Sequence, residues 1–377
     1  MSTPDAPLPI LHITGSLGLG GTEKTLQLFV SHLDRTRFRP MVFAFADGPR
    51  RALLSKLGID VFVGGDLLEI MQRLRPAIVH LHRPGWPEPK LLRLLKLARV
   101  PAVVETNVFG RFDPSPQAEI IDRHLFVSRF CLERYSQMND VDTSSPRYQV
   151  LYNPVDTDLF SRRPEQRKPA VPTVGRLSRP DPGKWSPLAL EMLPHLRTHI
   201  PDVCYRIIGG TPEARHWVKA NALENHVEFC DAVHTDEELT DFFQGISVLA
   251  HANDTGESFG LVIAEAMAAG LPVVTHPCPE PRDNAQLELV DHGRTGLVAN
   301  TAEEYAAAVA WLLNHPRQAA AMGEAGRAKA QRLYRAQTVT RQLEDIYLDL
   351  LHSSQTTVGH PHARAPIQTI QHRNPAL

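Results

Sequence analysis

Short apolar segments alternate along this chain with longer segments that have the periodicity of helices. PILHIT, PMVFAF, IDVFVGG, AIVHLH and PAVVET are typical of buried strands, and LLEIMQRLR and PKLLRLLKLAR between them are typical of helices. Strands that alternate with helices form parallel sheets whose two faces are covered by the helices. The alternation therefore predicts an α/β fold built on parallel sheets.

The composition changes at SRRPEQRKPAVP, residues 161–172, which is rich in proline and charge, and the alternation restarts after it with PTVGRL, VCYRIIGG and ISVLAHA. Such a segment is typical of a linker between domains. Two tandem doubly wound domains place a ligand crevice where the carboxyl ends of their strands face each other. We therefore predict an N-terminal Rossmann-like domain over 1–165, a C-terminal one over 166–335, a helix over 336–352 that crosses back to the N-terminal domain, and a disordered tail over 353–377.

Composition narrows the class of protein. The chain has 377 residues and a formal net charge of −2, so no overall field attracts nucleic acid or anionic lipid. Its four cysteines form no CxxC pair, which argues against a zinc site or a disulfide scaffold and favours a reducing compartment. The first residues, MSTPDAPLPI, lack the features of a signal peptide. We expect a cytoplasmic protein with no nucleic-acid partner and no membrane span.

The stretch ESFGLVIAEAMAAG, residues 257–270, contains two glutamates eight positions apart. Glu265 lies on a predicted helix that is otherwise apolar all round, and such a helix is buried. An unpaired buried carboxylate is costly, so Glu265 needs hydrogen-bond donors, and sugar hydroxyls are donors of that kind. Glu257 precedes the helix at the mouth of the crevice. Two other interpretations stay open: Glu265 pairs with a buried arginine, and Glu257 is an N-terminal capping acid.

The start of this helix is a predicted anion site. The free amides of Phe259, Gly260 and Leu261 point outward at a helix N-terminus, where negative charge is favoured. Gly260 lets an anion approach the backbone closely. Hydroxyls at each end and an anion between them describe a sugar–diphosphate–ribose.

Several stretches resemble the family 4 glycosyltransferases, which are retaining enzymes of the GT-B fold. GESFGLVIAEAMAAGLPVV resembles their donor-site motif, and LGLGGTEKTL resembles their N-terminal glycine loop. YNPVDTDLF, VGRLSRPDPGKW and LVDHGRTGLVA resemble the segments that enter the linker, grip the donor diphosphate and follow the donor helix. The resemblance runs from residue 15 to about residue 300. It implies two Rossmann-like domains that face each other across a cleft.

The resemblance also implies roles for individual residues. Glu265 would bind the ribose hydroxyls, Glu257 would bind hydroxyls of the donor sugar, and Arg176 and Lys184 would neutralise the diphosphate. The remaining donor-site residues would act through backbone groups: Phe259, Gly260 and Leu261 would meet phosphate and sugar, and Gly20 and Gly21 would close on the diphosphate from the other domain. With two cations and a helix N-terminus supplied, no metal or other cofactor is expected.

The sequence departs from the family pattern in three places. Many members have a histidine where this chain has Asn107, in ETNVFG. Asparagine donates and accepts hydrogen bonds but cannot take a proton, so we predict that Asn107 positions a hydroxyl. The insertion RPDP lies between Arg176 and Lys184. The segment PCPEPRDNAQLELV lacks the usual glycine pair, and we expect Glu288 to replace the family's glutamate.

Three further motifs allow two interpretations each. Asp156 and Asp158 spell DTD, which we interpret as turn chemistry, with an Mg²⁺ or Mn²⁺ pair as the alternative. His80 and His82 are two apart on a strand and would point the same way; they are metal ligands without an evident third ligand, or else His82 and Arg83 line the acceptor side of the cleft. KLLRLLKLAR, residues 90–99, presents a basic face to solvent or, alternatively, makes a weak peripheral contact with the inner face of the membrane.

We therefore predict a glycosyltransferase that moves a sugar from a UDP- or GDP-sugar to a hydroxyl of an unknown glycan, lipid-linked or small-molecule acceptor. Two alternatives stay open: a nucleotide-sugar binding protein that has lost transfer, and another GT-B activity such as nucleotide-sugar epimerisation.

Overall fold

A computed structural model describes residues 6–161, 169 and 171–357. It contains two all-parallel sheets. The strands of the first are β1 (Leu8–Ser16), β2 (Phe38–Ala46), β3 (Asp60–Val63), β4 (Ile78–Arg83), β5 (Ala102–Asn107), β6 (Arg123–Phe126) and β7 (Tyr148–Val150). Those of the second are β8 (Thr173–Leu177), β9 (Cys204–Ile208), β10 (Val227–Cys230), β11 (Val248–Ala250), β12 (Val273–Thr275) and β13 (Gly296–Val298). The orders are β3-β2-β1-β4-β5-β6-β7 and β10-β9-β8-β11-β12-β13.

Helices cover both sheets. In the first half of the chain they are α1 (Gly21–His32), α2 (Arg50–Lys56), α3 (Leu67–Leu74), α4 (Pro89–Leu97), α5 (Arg129–Asn139) and α6 (Thr157–Phe160). In the second half they are α7 (Leu188–His199), α8 (Pro212–Ala220), α9 (Asp236–Gln244), α10 (Leu261–Ala268), α11 (Gln286–Leu289), α12 (Ala302–Asn314), α13 (Pro316–Leu333) and α14 (Ala336–Thr357). The predicted fold, two Rossmann-like domains of the GT-B type, is confirmed.

Local sequence signals set many of these boundaries. Helix α3 begins after Asp66, whose side chain accepts from two backbone N–H groups of the first turn. Helix α9 begins with a capping box, in which Thr235 and Glu238 satisfy each other's backbone donors. Helix α10 ends before Gly270, which has a positive φ of 79°, a conformation that glycine adopts without strain.

The last helix returns to the N-terminal domain. Val339, Leu343 and Tyr347 of α14 are buried in the same cluster as Ile10 and Phe38 of the first sheet. The predicted disordered tail begins too early, because α14 continues to Thr357; SSQTT contains no proline or glycine that would stop it. The rest of that tail and the predicted domain boundary at 165/166 lie outside the described residues.

Helix α4 is amphipathic. It buries Leu91, Leu92 and Leu95, while Lys90 and Arg93 are exposed. Across the described ranges, none of the helices has both the length and the apolarity that a bilayer crossing requires.

A histidine array lies in the core of the first sheet. His12 on β1 is paired in register with His80 on β4, and the rings of His80 and His82 stack with centroids 4.3 Å apart. His12 Nδ1 and His82 Nε2 share a hydrogen bond of 3.0 Å. Burial lowers the pKa of all three imidazoles, and for His82 it lowers the pKa to about 3. The array is therefore neutral in the folded protein at neutral pH.

We expect the array to make stability depend on pH. The pKa of each imidazole is lower in the folded chain than the value near 6.5 of the unfolded chain, so the stabilisation is complete above about pH 6.5. It is lost as the pH falls from there toward the folded pKa, because the unfolded chain then binds protons that the folded chain does not. Each histidine contributes up to about 1.4 kcal/mol per pH unit to this fall in the free energy of unfolding.

Urea unfolding between pH 7.5 and 4.5 measures this slope. His82→Gln should reduce the slope below pH 6.5, whereas the same change at the exposed His216 should leave it unchanged. Equal slopes in the wild type and in His82→Gln would show that the array is already protonated when folded.

Candidate functional site

The two domains meet at the glycine loop and the start of α10. Gly21 begins α1 after the short loop that follows β1, and a Cβ added to it would lie 3.0 Å from Leu261 Cδ1. The loop therefore lies in close contact with the first residue of α10. At Gly20 a side chain would collide with the carboxylate of Glu23. The structure thus brings together the glycine loop and the helix N-terminus that the sequence places at the donor site.

Helix α10 is buried as its composition predicts. Gly260 precedes it with a φ of 102°, which any other residue would adopt only with strain. The Phe259 ring is 1% exposed and packs against Tyr334 with centroids 5.2 Å apart. The Phe259 ring therefore fixes the position of the helix start and is not accessible to a ligand.

Glu265 has a cationic partner from the other domain. Lys24 Nζ on α1 lies 2.6 Å from Glu265 Oε1 and 2.6 Å from Asp236 Oδ1. Burial disfavours the charged form of Lys24, but the two carboxylates outweigh it and raise the pKa of the ammonium. Burial also raises the pKa of Glu265, against the opposing effect of Lys24. The alternative in which Glu265 pairs with a buried cation thus holds in this structure, with lysine in place of arginine.

Glu257 lies in a cage of donors at the mouth of the cleft. Its carboxylate lies 3.4 Å from Lys184 Nζ and 3.1 Å from His251 Nε2, and it accepts a hydrogen bond from the Asn253 amide. Burial opposes its ionisation, but the hydrogen bond with His251 and the Lys184 charge lower the pKa of Glu257 to about 2. The group is therefore an anion at any physiological pH and accepts hydrogen bonds from hydroxyls.

Arg176 holds the backbone of Lys184 in place. Its guanidinium is 1% exposed, lies 3.7 Å from the centroid of the Trp185 ring, and donates to the Lys184 carbonyl and to Ser178 Oγ. These contacts direct the Arg176 guanidinium to protein groups. Lys184, whose side chain is 25% exposed, is then the cation that faces the cleft beside Glu257.

The predicted acceptor-side residues are buried. Asn107 donates from Nδ2 to the Arg111 carbonyl at 2.7 Å and accepts from the Arg111 N–H at 3.1 Å, so its amide shapes the loop after β5. Arg83 is 4% exposed and paired with Glu105 at 2.6 Å. His82 belongs to the histidine array, 3% exposed.

The contacts of the DTD pair and of the two histidines bear on the interpretations of those motifs. Asp156 caps α6 by accepting from the Leu159 N–H at 2.9 Å, and Asp158 pairs with Arg335 at 2.9 Å, which supports turn chemistry. His12 supplies the third imidazole that the sequence did not reveal, and nitrogen atoms of the three rings lie within 4.8 Å of one another. Both nitrogens of His80 already share hydrogen bonds with Tyr347 and Thr106, which favours a hydrogen-bonded array.

Glu288 joins the two domains. Its carboxylate accepts from the backbone N–H groups of Arg129 and Phe130 at the start of α5, at 3.0 and 3.3 Å. It also accepts from the Tyr152 hydroxyl at 2.6 Å. A carboxylate at a helix N-terminus is favoured electrostatically, so this contact stabilises the docking of the domains.

Sequence reasoning missed Lys24, Asp236, His251 and Asn253. His251 and Asn253 follow β11 directly, and the rule that ligands bind at the carboxyl ends of parallel strands would have identified them. Lys24 lies within the glycine-loop motif, on the same helix face as Leu28, which is buried one turn further on. A lysine on a buried face needs a carboxylate, and that was the available signal.

Residues 168–315 match the family model described as Glycosyl transferases group 1. Over 241 residues the chain is 32% identical to the GDP-mannose-dependent alpha-(1-6)-phosphatidylinositol monomannoside mannosyltransferase of Mycobacterium tuberculosis, covering 59% of this chain and 60% of that protein. It is 27% identical over 314 residues to the D-inositol 3-phosphate glycosyltransferase of Corynebacterium aurimucosum, covering 73% of this chain and 72% of that protein.

Two solved structures have the same fold over most of this chain. Anabaena Alr3699/HepE in complex with UDP and glucose superposes with a TM-score of 0.75 at 21% identity, and the match covers 91% of this chain and 100% of the Anabaena chain. A glycosyltransferase from Rickettsia africae superposes with a TM-score of 0.76 at 16% identity, covering 92% and 99%. The two-domain fold that the resemblance to the family 4 glycosyltransferases implies is thereby confirmed.

We predict that Lys24→Met destabilises the contact between the domains. The change leaves the buried carboxylate of Glu265 without its bonded cation, which costs about 3–5 kcal/mol; Asp236, which is partly exposed, loses the same partner. Thermal unfolding followed by circular dichroism should show a clear fall in midpoint. Adding Glu265→Gln to Lys24→Met should restore part of the loss, because the unpaired charge is then removed.

The matched control is Lys56→Met on the exposed end of α2, which should unfold like the wild type. If Lys24→Met unfolds at the wild-type midpoint and Glu265→Gln has no further effect in that background, the ion pair does not stabilise the protein.

Proposed function

We propose that the protein is a retaining, metal-independent glycosyltransferase that uses a nucleoside diphosphate sugar, GDP- or UDP-linked, and transfers the sugar to a hydroxyl acceptor. The observation that carries the proposal is the Glu257 cage. A permanently ionised carboxylate, held by Lys184, His251 and Asn253, stands two residues before Phe259 and the start of α10. This carboxylate would accept hydrogen bonds from sugar hydroxyls, and it lies beside groups that would donate hydrogen bonds to a diphosphate.

The proposed step breaks the bond between the anomeric carbon and the diphosphate, and forms a bond from that carbon to the acceptor oxygen. The leaving diphosphate gains negative charge, so donors already in place lower the barrier. Lys184 and the first amides of α10 supply those donors. The departing phosphate oxygen takes the proton of the acceptor hydroxyl, so no protein base is needed at Asn107.

The nucleoside end of the donor would meet the second glutamate. Ribose hydroxyls are hydrogen-bond donors, and Glu265 is the buried carboxylate that they would reach on α10. Because Lys24 already bonds to Glu265, the ribose would share or replace that contact. The relative named above depends on GDP-mannose and the neighbour in the solved structures holds UDP, which supports a donor of one of these two classes.

One observation favours the second candidate, a nucleotide-sugar binding protein without transfer. Both polar atoms of the Asn107 amide are bonded to Arg111, so this position offers neither a base nor a free hydrogen-bonding group to an acceptor. Donor hydrolysis separates the candidates, because a binding protein would hold UDP- or GDP-sugars without cleaving them.

We predict that Lys184→Gln lowers kcat by about 10²–10³-fold and raises the donor KM less. The ammonium stabilises charge that develops as the diphosphate leaves, so its loss is felt mainly in the transition state. Lys184→Arg should recover part of the rate. Turnover of GDP-mannose, UDP-glucose and related donors should be measured by release of the nucleoside diphosphate, with and without EDTA.

Activity should persist in EDTA, and Lys219→Gln on the exposed face of α8 should behave like the wild type. Turnover that disappears in EDTA and returns with Mg²⁺ or Mn²⁺ would refute metal independence. Tight donor binding without hydrolysis or transfer to any tested acceptor would favour the binding protein.

A further inference from the structure

Helix α5 of the N-terminal domain contacts two segments of the C-terminal domain that lie on either side of Glu257. The first segment, residues 255–258, leads into α10, and the second, residues 278–288, follows β12 and runs into α11. We name the two segments together the Glu257 cradle. Ser128, directly before α5, donates from its hydroxyl to the Ser258 carbonyl at 2.6 Å. The Glu288 carboxylate binds the first amides of α5, so the helix contacts both segments of the cradle.

Backbone hydrogen bonds join the two segments of the Glu257 cradle. The Asp283 N–H donates to the Thr255 carbonyl at 3.2 Å. The Ala285 N–H donates to the Glu257 carbonyl at 2.8 Å. The Glu257 N–H donates to the buried Gln286 side chain at 3.1 Å. The position of Glu257 therefore depends on the second segment as well as on its own.

The two segments are in close contact at Gly256. Gly256 has a φ of 65°, and a Cβ added to it would collide with the Asp283 carbonyl and lie 3.2 Å from Cys278 Sγ. Because the backbones touch here, a shift of the second segment at Asp283 also moves the residue directly before Glu257.

Arg134 on α5 links Asp283 to the N-terminal domain. Its guanidinium, 7% exposed, donates to the Asp283 carboxylate and to the Phe109 carbonyl. It also lies 4.9 Å from the centroid of the Phe130 ring. A planar guanidinium held by two acceptors and an aromatic ring has a fixed orientation. The side chain of Asp283 is only 16% exposed, so it depends on Arg134 for compensation of its charge.

The donors around Glu257 come from other parts of the C-terminal domain. Lys184 lies in the segment after β8 and His251 directly follows β11, and they lie 3.4 and 3.1 Å from the Glu257 carboxylate. These distances are at or beyond the long end of the usual range for such bonds. A small displacement of Glu257 within the cradle therefore weakens them.

We propose that Arg134 is a positioning residue for Glu257, through which the docking of the N-terminal domain orders the carboxylate that binds the donor sugar. Arg134 acts through Asp283 and the backbone of Thr255 and Gly256, and it needs no contact with the donor. The consequence for sugar binding rests on the proposed transferase, whereas the positioning itself rests only on contacts within the protein.

Hydrogen exchange of the full chain without donor tests the positioning. In Arg134→Gln the amides of Glu257, Asp283 and Ala285 should exchange about ten times faster than in the wild type, because a charge-assisted hydrogen bond that supports them is lost. Asp283→Asn removes the same ion pair from its other partner and should have the same effect. Amides of α12 should exchange at the wild-type rate in both variants.

Calorimetric titration separates the effect on the sugar from the effect on the nucleotide. Arg134→Gln should weaken binding of the nucleotide sugar, tested with GDP-mannose and UDP-glucose, about tenfold. It should change the affinity for GDP or UDP alone by less than about twofold, since the nucleoside is expected at Glu265. Arg134→Lys should retain part of the wild-type affinity, because an ammonium can pair with Asp283 but lacks the planar fork.

A double-mutant cycle with Glu257→Gln identifies the residue through which Arg134 acts. In the Glu257→Gln background, Arg134→Gln should weaken binding of the nucleotide sugar no further, because the contact that it supports is already lost. A merely structural role would weaken binding of nucleotide and nucleotide sugar equally and would persist in this background, and either result would overturn the proposal.

The matched control is Arg317→Gln on the exposed face of α13, which should match the wild type in both measurements. If Arg134→Gln loses protection throughout the chain, Asp283→Asn decides the exchange test. Wild-type exchange of the three amides in Asp283→Asn would refute the positioning, and it would leave the transferase proposal standing. Absence of turnover with every acceptor would count against the transferase alone, because the exchange test requires no ligand.

Discussion

A buried ion pair between the two domains, Lys24 with Glu265 and Asp236, constrains the rest of the donor side. Helix α10 is apolar on every face except at Glu265, so the carboxylate must have a partner or be protonated. Lys24 lies one turn into α1, and its contact with Glu265 brings the glycine loop against the start of α10. Gly21 has no Cβ, and this allows the close approach, because a Cβ there would lie 3.0 Å from Leu261 Cδ1. Under the proposed function, a nucleotide would have to accommodate both a closed loop and an occupied carboxylate.

The two glutamates of the same short stretch have opposite electrostatic environments. Glu265 lies on a buried helix that is otherwise apolar, and burial raises its pKa despite Lys24. Glu257 is also removed from water, but His251 and Lys184 lower its pKa to about 2. Glu265 thus has one directly bonded cation, Lys24, whereas Glu257 accepts from several donors. Under the proposed function, Glu265 would make an exchangeable contact with the nucleoside and Glu257 a fixed contact with the sugar.

Buried arginines support the site, and the more exposed Lys184 faces it. Arg176 holds the backbone of Lys184, and Arg134 joins the Phe109 carbonyl to Asp283. In both cases the guanidinium makes several directed hydrogen bonds to backbone and side-chain acceptors, which a lysine could not match. The same arrangement recurs on the two sides of the cleft.

The sequence by itself determined the two parallel-sheet domains, the order of nearly all their elements and the buried helix with its two glutamates, because periodicity and helix-ending residues are local properties. It also indicated turn chemistry at Asp156, where the structure shows a helix cap. The tertiary structure alone decided that Lys24 pairs with Glu265, that His12 completes the histidine array, and that Arg176 and Asn107 are turned to the protein. These contacts join residues far apart in the chain, and their partners depend on how strands are ordered and how the domains dock. The lysine, histidine and asparagine side chains carry no local signal of which distant group will neutralise or bond to them.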